Sequence, residues 1–245
     1  MYVAKGKWRK SYKESQINVY GTWCEFRNIS FEKPKYHREE NLPFIPLEKE
    51  LNALISAVNK KTSAFLQLLK ETGAESSEAF KLRVKDLWIE QRIVNIRGTK
   101  RHKGRQLKIS SRLISMLIPF TIEKKMDDRI FSGKQEHFTR WYQMQRKKIA
   151  DKLQNPRLME ISFRTFRHWK ATMEYHKTKD ILYVKRLLGH HNIKNTLVYT
   201  HLVNFESDNW ICKVAKNIDE AGRLVEVGFD FVTQFEGKML FRKRK

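Results

Sequence analysis

A chain of 245 residues, 40% of them apolar, holds enough material for one large core or for one domain with a small appendage. Its 50 lysines and arginines against 27 acidic residues leave a formal charge of +23, which draws the chain toward polyanions and makes nucleic acid the expected partner. Excluded are a membrane-spanning helix, because no run approaches the roughly 18 apolar residues one requires, and a disulfide or Cys-x-x-Cys zinc framework, because the only cysteines are Cys24 and Cys212.

The opening residues, MYVAKGKWRKSY, lack the apolar core of a secretory signal, so a cytoplasmic protein with reduced thiols is expected. Ile17–Phe26 then carries Tyr20, Trp23 and Phe26 at helical spacing. The charged stretch FEKPKYHREENLP, with helix-breaking Pro34 and Pro43, reads as a linker and sets a boundary near residue 41. After Pro46, the residues Leu47, Leu51, Leu54, Ile55 and Val58 share one face of an amphipathic helix. Lys61–Lys70 repeats the pattern with Phe65, Leu66 and Leu69, and Thr72-Gly73 ends it. From Leu87 the period shifts toward two, and RIVNIRG and RQLKIS flank a basic turn, TKRHKG, which predicts a β-hairpin with an exposed tip. Helices are predicted at Ser111–Pro119, at His137–Leu153, and twice between Arg164 and Tyr199. At the end, Ile218–Val227 has Asn217 as its N-cap and Gly228 as its stop, between the apolar stretches WICKVA, FDFVTQF and KMLF, so residues 207–245 form a small helix-and-sheet tail unit. The fold class is mainly α with a small antiparallel β-sheet.

The richest segment is RTFRHWKATMEYHKTKDILYVKRLLGHHNIKNTLVYT, Arg164–Tyr199. Arg167-His168 opens one helix, Leu187-Leu188-Gly189-His190 closes another, and Tyr199 follows His190 by nine residues. A basic cluster, a Gly-His turn and an accessible tyrosine in one unit are the equipment for attacking a phosphodiester with a phenolic oxygen. The pattern FRHWKAT, LLGH and Tyr199 resembles the catalytic core of the tyrosine recombinases (phage integrase, Xer-like), in its archaeal form, and the resemblance runs over about residues 42–245.

That resemblance implies a tyrosine recombinase catalytic-domain fold over 42–206, with residues 1–41 holding about the last helix of an amino-terminal core-binding domain. It implies cleavage of double-stranded DNA through a 3′-phosphotyrosine link, with no metal or other cofactor, and self-association on DNA or pairing with another recombinase subunit. Tyr199 is then the nucleophile, Arg167 the second of two phosphate-clamping arginines, and His190 a phosphate-binding donor. Lys100, just after the strand RIVNIR, takes the general-acid place, with Arg101 and Lys103 near enough to share it. Arg101, Lys103, Arg105, Lys147 and Lys148 are candidates for DNA-backbone contacts. His168 has a packing or supporting role, and Glu78 a structural one.

Two places depart from the family. Its first arginine lies in a Thr-Gly-x-Arg-x-x-Glu frame, which here reads Thr72-Gly73-Ala74-Glu75-Ser76-Ser77-Glu78, so Glu75 stands where the arginine belongs. Three residues before Arg167, where the family has His or Lys, stands Arg164. Glu75 and Arg164 are expected to pair, because a buried lone carboxylate is costly. The rival expectation is that Arg164 supplies the missing cation. A non-catalytic DNA-binding derivative of an integrase is the alternative to an active recombinase.

Overall fold

The structure is a computed structural model and describes residues 8, 10–34, 42–98, 102–202, 210–235 and 237–244. The chain divides into two units, Met1–Pro43 and Phe44–Lys245. In the first, helix α1 (Lys10–Phe26) is longer than its aromatic spacing indicated. Asn28 leaves the helix at φ +53°, and the extended chain beyond it runs back along α1. Phe31 packs edge-on against Tyr20, with ring centroids 4.9 Å apart, and Lys33 reaches Glu25 at 2.8 Å.

The second unit is built around α3 (Lys60–Thr72), in which Ala64, Phe65, Leu66, Leu68 and Leu69 are fully buried. Asn59 starts it by accepting the Thr62 N–H at 2.9 Å, and Gly73, at φ +61°, ends it. Burial on every side follows from its neighbours, α2 (Glu48–Ala57), α5 (Ser111–Leu117) and α7 (Phe163–Thr178). Phe65 anchors this core, with Phe80, Phe131, Phe138 and Phe163 edge-on around it at 4.9 to 5.9 Å. A single turn of helix, α4 (Ser76–Phe80), follows Gly73.

The predicted hairpin forms, as β2 (Ile93–Ile96) and β3 (Arg105–Lys108), with the two-residue β1 (Leu87–Trp88) on the other edge of β2. All pairs are antiparallel, with Val94 opposite Leu107 and Ile96 opposite Arg105. Val94 and Ile96 point into the core and are fully buried. Helix α6 (Gln135–Lys152) turns Tyr142 inward, where its hydroxyl donates to the Ile161 carbonyl at 2.8 Å and fixes the entry to α7. Lys179, at φ +55°, closes α7, and Asp180 opens α8 (Ile181–Leu188) by accepting the Leu182 and Tyr183 N–H groups. The short α9 (Lys194–Leu197) runs into a 3-10 turn, Val198–His201, that carries Tyr199.

The tail is a three-stranded antiparallel sheet of β4 (Trp210–Ala215), β5 (Asp230–Phe235) and β6 (Lys238–Arg244) in the order β4-β6-β5, with α10 (Ile218–Glu226) between β4 and β5. Ala215, Phe229 and Phe241 form its own small core. The mainly helical class with small antiparallel sheets is as the sequence indicated. Among the described residues, no helix is long and apolar enough to cross a membrane.

Candidate active site

Two glycines set the geometry. Gly73 and Gly189 both end helices in the left-handed region, at φ +61° and +71°, where other residues are strained. Their helices, α3 and α8, thereby present C-terminal carbonyls to one point, and the Arg167 guanidinium fills it. Its Nη1 donates to the Gly73 carbonyl at 2.7 Å and its Nη2 to the Leu188 carbonyl at 2.8 Å. A cation there faces the negative ends of both helices. Arg167 is buried, and a guanidinium has more N–H groups than these carbonyls use.

Gly189 also permits a close approach. A Cβ there would lie 2.7 Å from the Lys103 carbonyl oxygen and 2.9 Å from Arg105 Nη1. In its absence, the Lys103 N–H donates to the Gly189 carbonyl at 2.8 Å, and His102 and His190 form an antiparallel bridge. The hairpin is thus stitched to the Gly-His turn. Gly189→Ala should cost about 1–2 kcal/mol in left-handed strain alone, and more through this clash. An unchanged urea midpoint in that variant would show that the stitch is slack.

Behind the stitch lies a buried ionic group. Both Arg105 Nη atoms grip the Glu78 carboxylate, at 3.1 and 2.8 Å, with the two side chains 6% and 1% exposed. Glu78 also accepts the Glu75 N–H at 2.9 Å, which caps α4. Burial pushes the Glu78 carboxyl up, but hydrogen bonds and charge from Arg105 outweigh it, with help from the Glu75 N–H and Arg167, and hold it below its ordinary value. The His102 ring lies between Glu78 (Nδ1 to Oε1, 3.4 Å) and Glu75 (Nε2 to Oε1, 3.7 Å). Burial, then Arg167, lowers its pKa against the pull of both carboxylates. His190 stands 5.8 Å away between ring centroids, with Nδ1 2.9 Å from the Thr196 hydroxyl. Burial, Arg167, His102 and Arg105 push His190 down to about 3, so it is neutral at pH 7.

Tyr199 differs from the accessible tyrosine the sequence led us to expect. It is 2% exposed, and its hydroxyl lies 3.0 Å from His168 Nδ1. Burial raises its pKa, and the charges of Arg167 and Arg164 oppose that rise. The segment after the Gly-His turn is short and packs on α7, which turns the ring inward instead of leaving it on a loop.

The expected pair between Glu75 and Arg164 does not form. Glu75 faces His102, and with its side chain 41% exposed its carboxylate keeps water, so no burial penalty demands a partner. Arg164 is exposed on the first turn of α7 and makes no ion pair or hydrogen bond among the described residues. Arg105, expected to face a DNA backbone, is instead committed to Glu78, because the inward turn of β3 buries its guanidinium. Lys103 is exposed beside the stitch, while Lys147 and Lys148 are exposed on α6 and take no part in the cluster's bonds. Lys100 and Arg101 lie outside the described residues. Sequence reasoning missed His102 altogether and gave His168 only a supporting role. The Arg-His pair was the signal for His168, but nothing local marks His102, whose contacts all come from elsewhere in the chain.

Two cavities flank the hairpin, the first of mixed charge and the second mainly basic. One, of about 650 Å³, is lined by Glu75, Glu78, Lys81, Arg83, Arg97 and Arg129 among others. The other, of about 570 Å³, includes Lys103, Arg105, Lys185, Arg186 and His190.

Residues 47–205 match the profile of the Phage integrase family. Tyrosine recombinase XerA of Saccharolobus solfataricus is 30% identical over 172 residues, covering 69% of this chain and 55% of that protein. A probable integrase/recombinase of Methanocaldococcus jannaschii is 26% identical over 202 residues, covering 76% of this chain and 61% of that protein. The chain therefore spans little more than half the length of these two relatives. Among solved structures, the XerH site-specific recombinase bound to difH substrate in a pre-cleavage complex superposes with a TM-score of 0.62 at 22% identity, over 84% of this chain and 66% of that one. A crystal structure of XerA recombinase gives 0.56 at 18%, over 94% and 79%. Both likenesses are to the fold.

Proposed function

The chain belongs to the phage integrase family, and from that premise we propose that it is a site-specific recombinase that cleaves and rejoins double-stranded DNA through a 3′-phosphotyrosine link at Tyr199. One observation carries the reading: the buried Tyr199 hydroxyl lies 3.0 Å from His168, the residue next to Arg167, whose guanidinium two helix-end carbonyls hold in place. As Oη bonds to phosphorus and the bond to the 5′ oxygen breaks, charge grows on the non-bridging oxygens. Preorganised N–H groups of Arg167, held by two helix termini, and His190 stabilise that charge without reorganising. Lys100 is the proton donor to the leaving 5′ oxygen, and Lys103, Lys147 and Lys148 take the duplex backbone. The relative XerH is bound to difH substrate in its solved structure, and DNA is the partner assigned to this chain. Self-association on DNA, or pairing with another recombinase subunit, and a cytoplasmic setting belong to the same proposal.

Glu75 favours a second reading, a DNA-binding derivative in which cleavage is impaired. Loss of one preorganised donor slows such reactions by on the order of 100- to 1000-fold, and a carboxylate in its place opposes the phosphate as well. Nicked or phosphorothiolate duplexes drawn from a genomic fragment pool separate the readings. The unmodified protein should give a covalent protein–DNA band that Tyr199→Phe abolishes and Glu75→Arg intensifies. A band seen only with Glu75→Arg would establish the binding derivative, and one that persists in Tyr199→Phe would remove Tyr199 as nucleophile.

A further inference from the structure

We propose that His168 is the proton acceptor for Tyr199, and that the attacked phosphate itself makes His168 basic enough to serve. This deepens the recombinase reading above and rests on it. His168 Nδ1 lies 3.0 Å from Tyr199 Oη, within the reach a general base needs. Among the described residues it is the only hydrogen-bond partner of that hydroxyl. The other candidates are set aside by chemistry or by position, Glu75 because its carboxylate faces His102 at 3.7 Å and makes no hydrogen bond to Tyr199 among the described residues. Arg164 cannot accept a proton, because a guanidinium stays charged at any pH the protein meets. Nδ1 of His190 is on Thr196, and that ring faces His102. With the hydrogen of the imidazole on Nε2, Nδ1 of His168 accepts the phenolic O–H directly.

The charges around His168 set its basicity before a phosphate binds. Burial, then Arg164 and Arg167 from its own helix, push its pKa down to about 4, so the ring is neutral but a weak base. On the turn packed against α7, Tyr199, protonated and uncharged at neutral pH, meets His168, while His201 of the same turn is exposed, and Glu75, just before α4, acts on that tyrosine. A phosphodiester seated against Arg164 and Arg167 brings a negative charge, and its transition state carries more on the same oxygens. That charge cancels the field that made an imidazolium unfavourable, and the basicity of His168 rises as the nucleophile is needed. In the step itself, the Oη–P bond forms and the P–O5′ bond breaks. The phenolic proton passes to Nδ1 of His168, and the 5′ oxygen takes its proton from the hairpin acid, for which Lys100 is the sequence candidate. Rejoining reverses both transfers, and His168 returns its proton to Tyr199.

The test is single-turnover cleavage of a nicked suicide duplex by wild type, His168→Ala and His168→Asn, with and without free imidazole, and with 3-fluorotyrosine at position 199. Loss of a general base slows a reaction by roughly 100- to 10,000-fold, and both variants should show it, since an amide holds a hydrogen bond but takes no proton. Imidazole in the buffer should restore much of the rate in His168→Ala. The fluorinated, more acidic phenol should narrow the gap between wild type and variant. If His168→Asn cleaves as fast as wild type, or if neither imidazole nor fluorination changes the deficit, His168 only positions the ring and the proposal is overturned. A wild-type protein that never links to DNA sinks the recombinase reading and this one together. A wild type that links, with a His168→Ala variant that links equally fast, sinks only this one.

Discussion

Arg167→Ala is expected to lower stability by about 3–5 kcal/mol and, on the recombinase reading, to remove strand cleavage altogether. The guanidinium is buried and donates to the carbonyls that end α3 and α8. Hydrogen bonds from a charged donor contribute about 1.5–3 kcal/mol each, and a buried acceptor left alone also carries its desolvation penalty. The two helix ends would then face each other with like partial charges and no cation between them. Arg167→Lys keeps the charge but as a single point that cannot serve both carbonyls, so its stability should fall between the two. On the recombinase reading its cleavage rate should drop by on the order of 100-fold or more. Urea unfolding checks this, with midpoints expected in the order wild type, lysine, alanine at a common slope. Equal midpoints would mean that Arg167 is held loosely and does not brace the site.

The second large effect lies in the Glu78–Arg105 pair. Glu78→Gln leaves the Arg105 guanidinium, 6% exposed, without its counter-charge, and breaking a buried pair from one side costs about 3–5 kcal/mol. Changing both partners, as Glu78→Gln with Arg105→Met, should recover a large part of the loss, because neither member of the pair is then left buried without its counter-charge. The pair also fixes a pH dependence. The Glu78 carboxyl is held below its ordinary value, so its contribution is present above the unfolded carboxylate range, about pH 4, and is lost as pH falls toward the folded value. His168 and His190, held down to about 4 and about 3, add a loss that begins higher, near the unfolded histidine value of 6.5. Stability should therefore decline steadily as pH drops below about 6.5. In Glu78→Gln the fall below about pH 4 should be shallower, and an identical acid limb would place the loss in other groups.

Much of the scaffold could be read from the sequence because its signals are local. The apolar spacing of Leu51, Leu54 and Ile55 marks α2, Gly73 stops α3, and the TKRHKG turn between two alternating strands announces the hairpin. Elements too short to show a period, α4 and β1, gave no such signal. At the site, the resemblance named candidate residues, but their electrostatic partners could not be read from the sequence. Which carboxylate meets which cation depends on burial: Arg105 turns inward to the buried Glu78, while the wetter Glu75 needs no arginine. Tyr199 was singled out through the family resemblance, whereas its burial against His168 depends on how the last turn packs on α7.

The stitch between the hairpin and the Gly-His turn makes the count of residues in that hairpin a constraint of its own. Lys103 bonds to Gly189 while Ile96 pairs with Arg105, so the stretch from 97 to 104 is anchored at both ends. Successive residues in extended chain face opposite sides, and one residue added between Lys103 and Arg105 would swing His102 away from His190. Relatives of this chain should therefore vary in length at the tip and hold their length along the returning limb. An insertion scan across the hairpin would reveal that as a sharp edge in tolerance at His102.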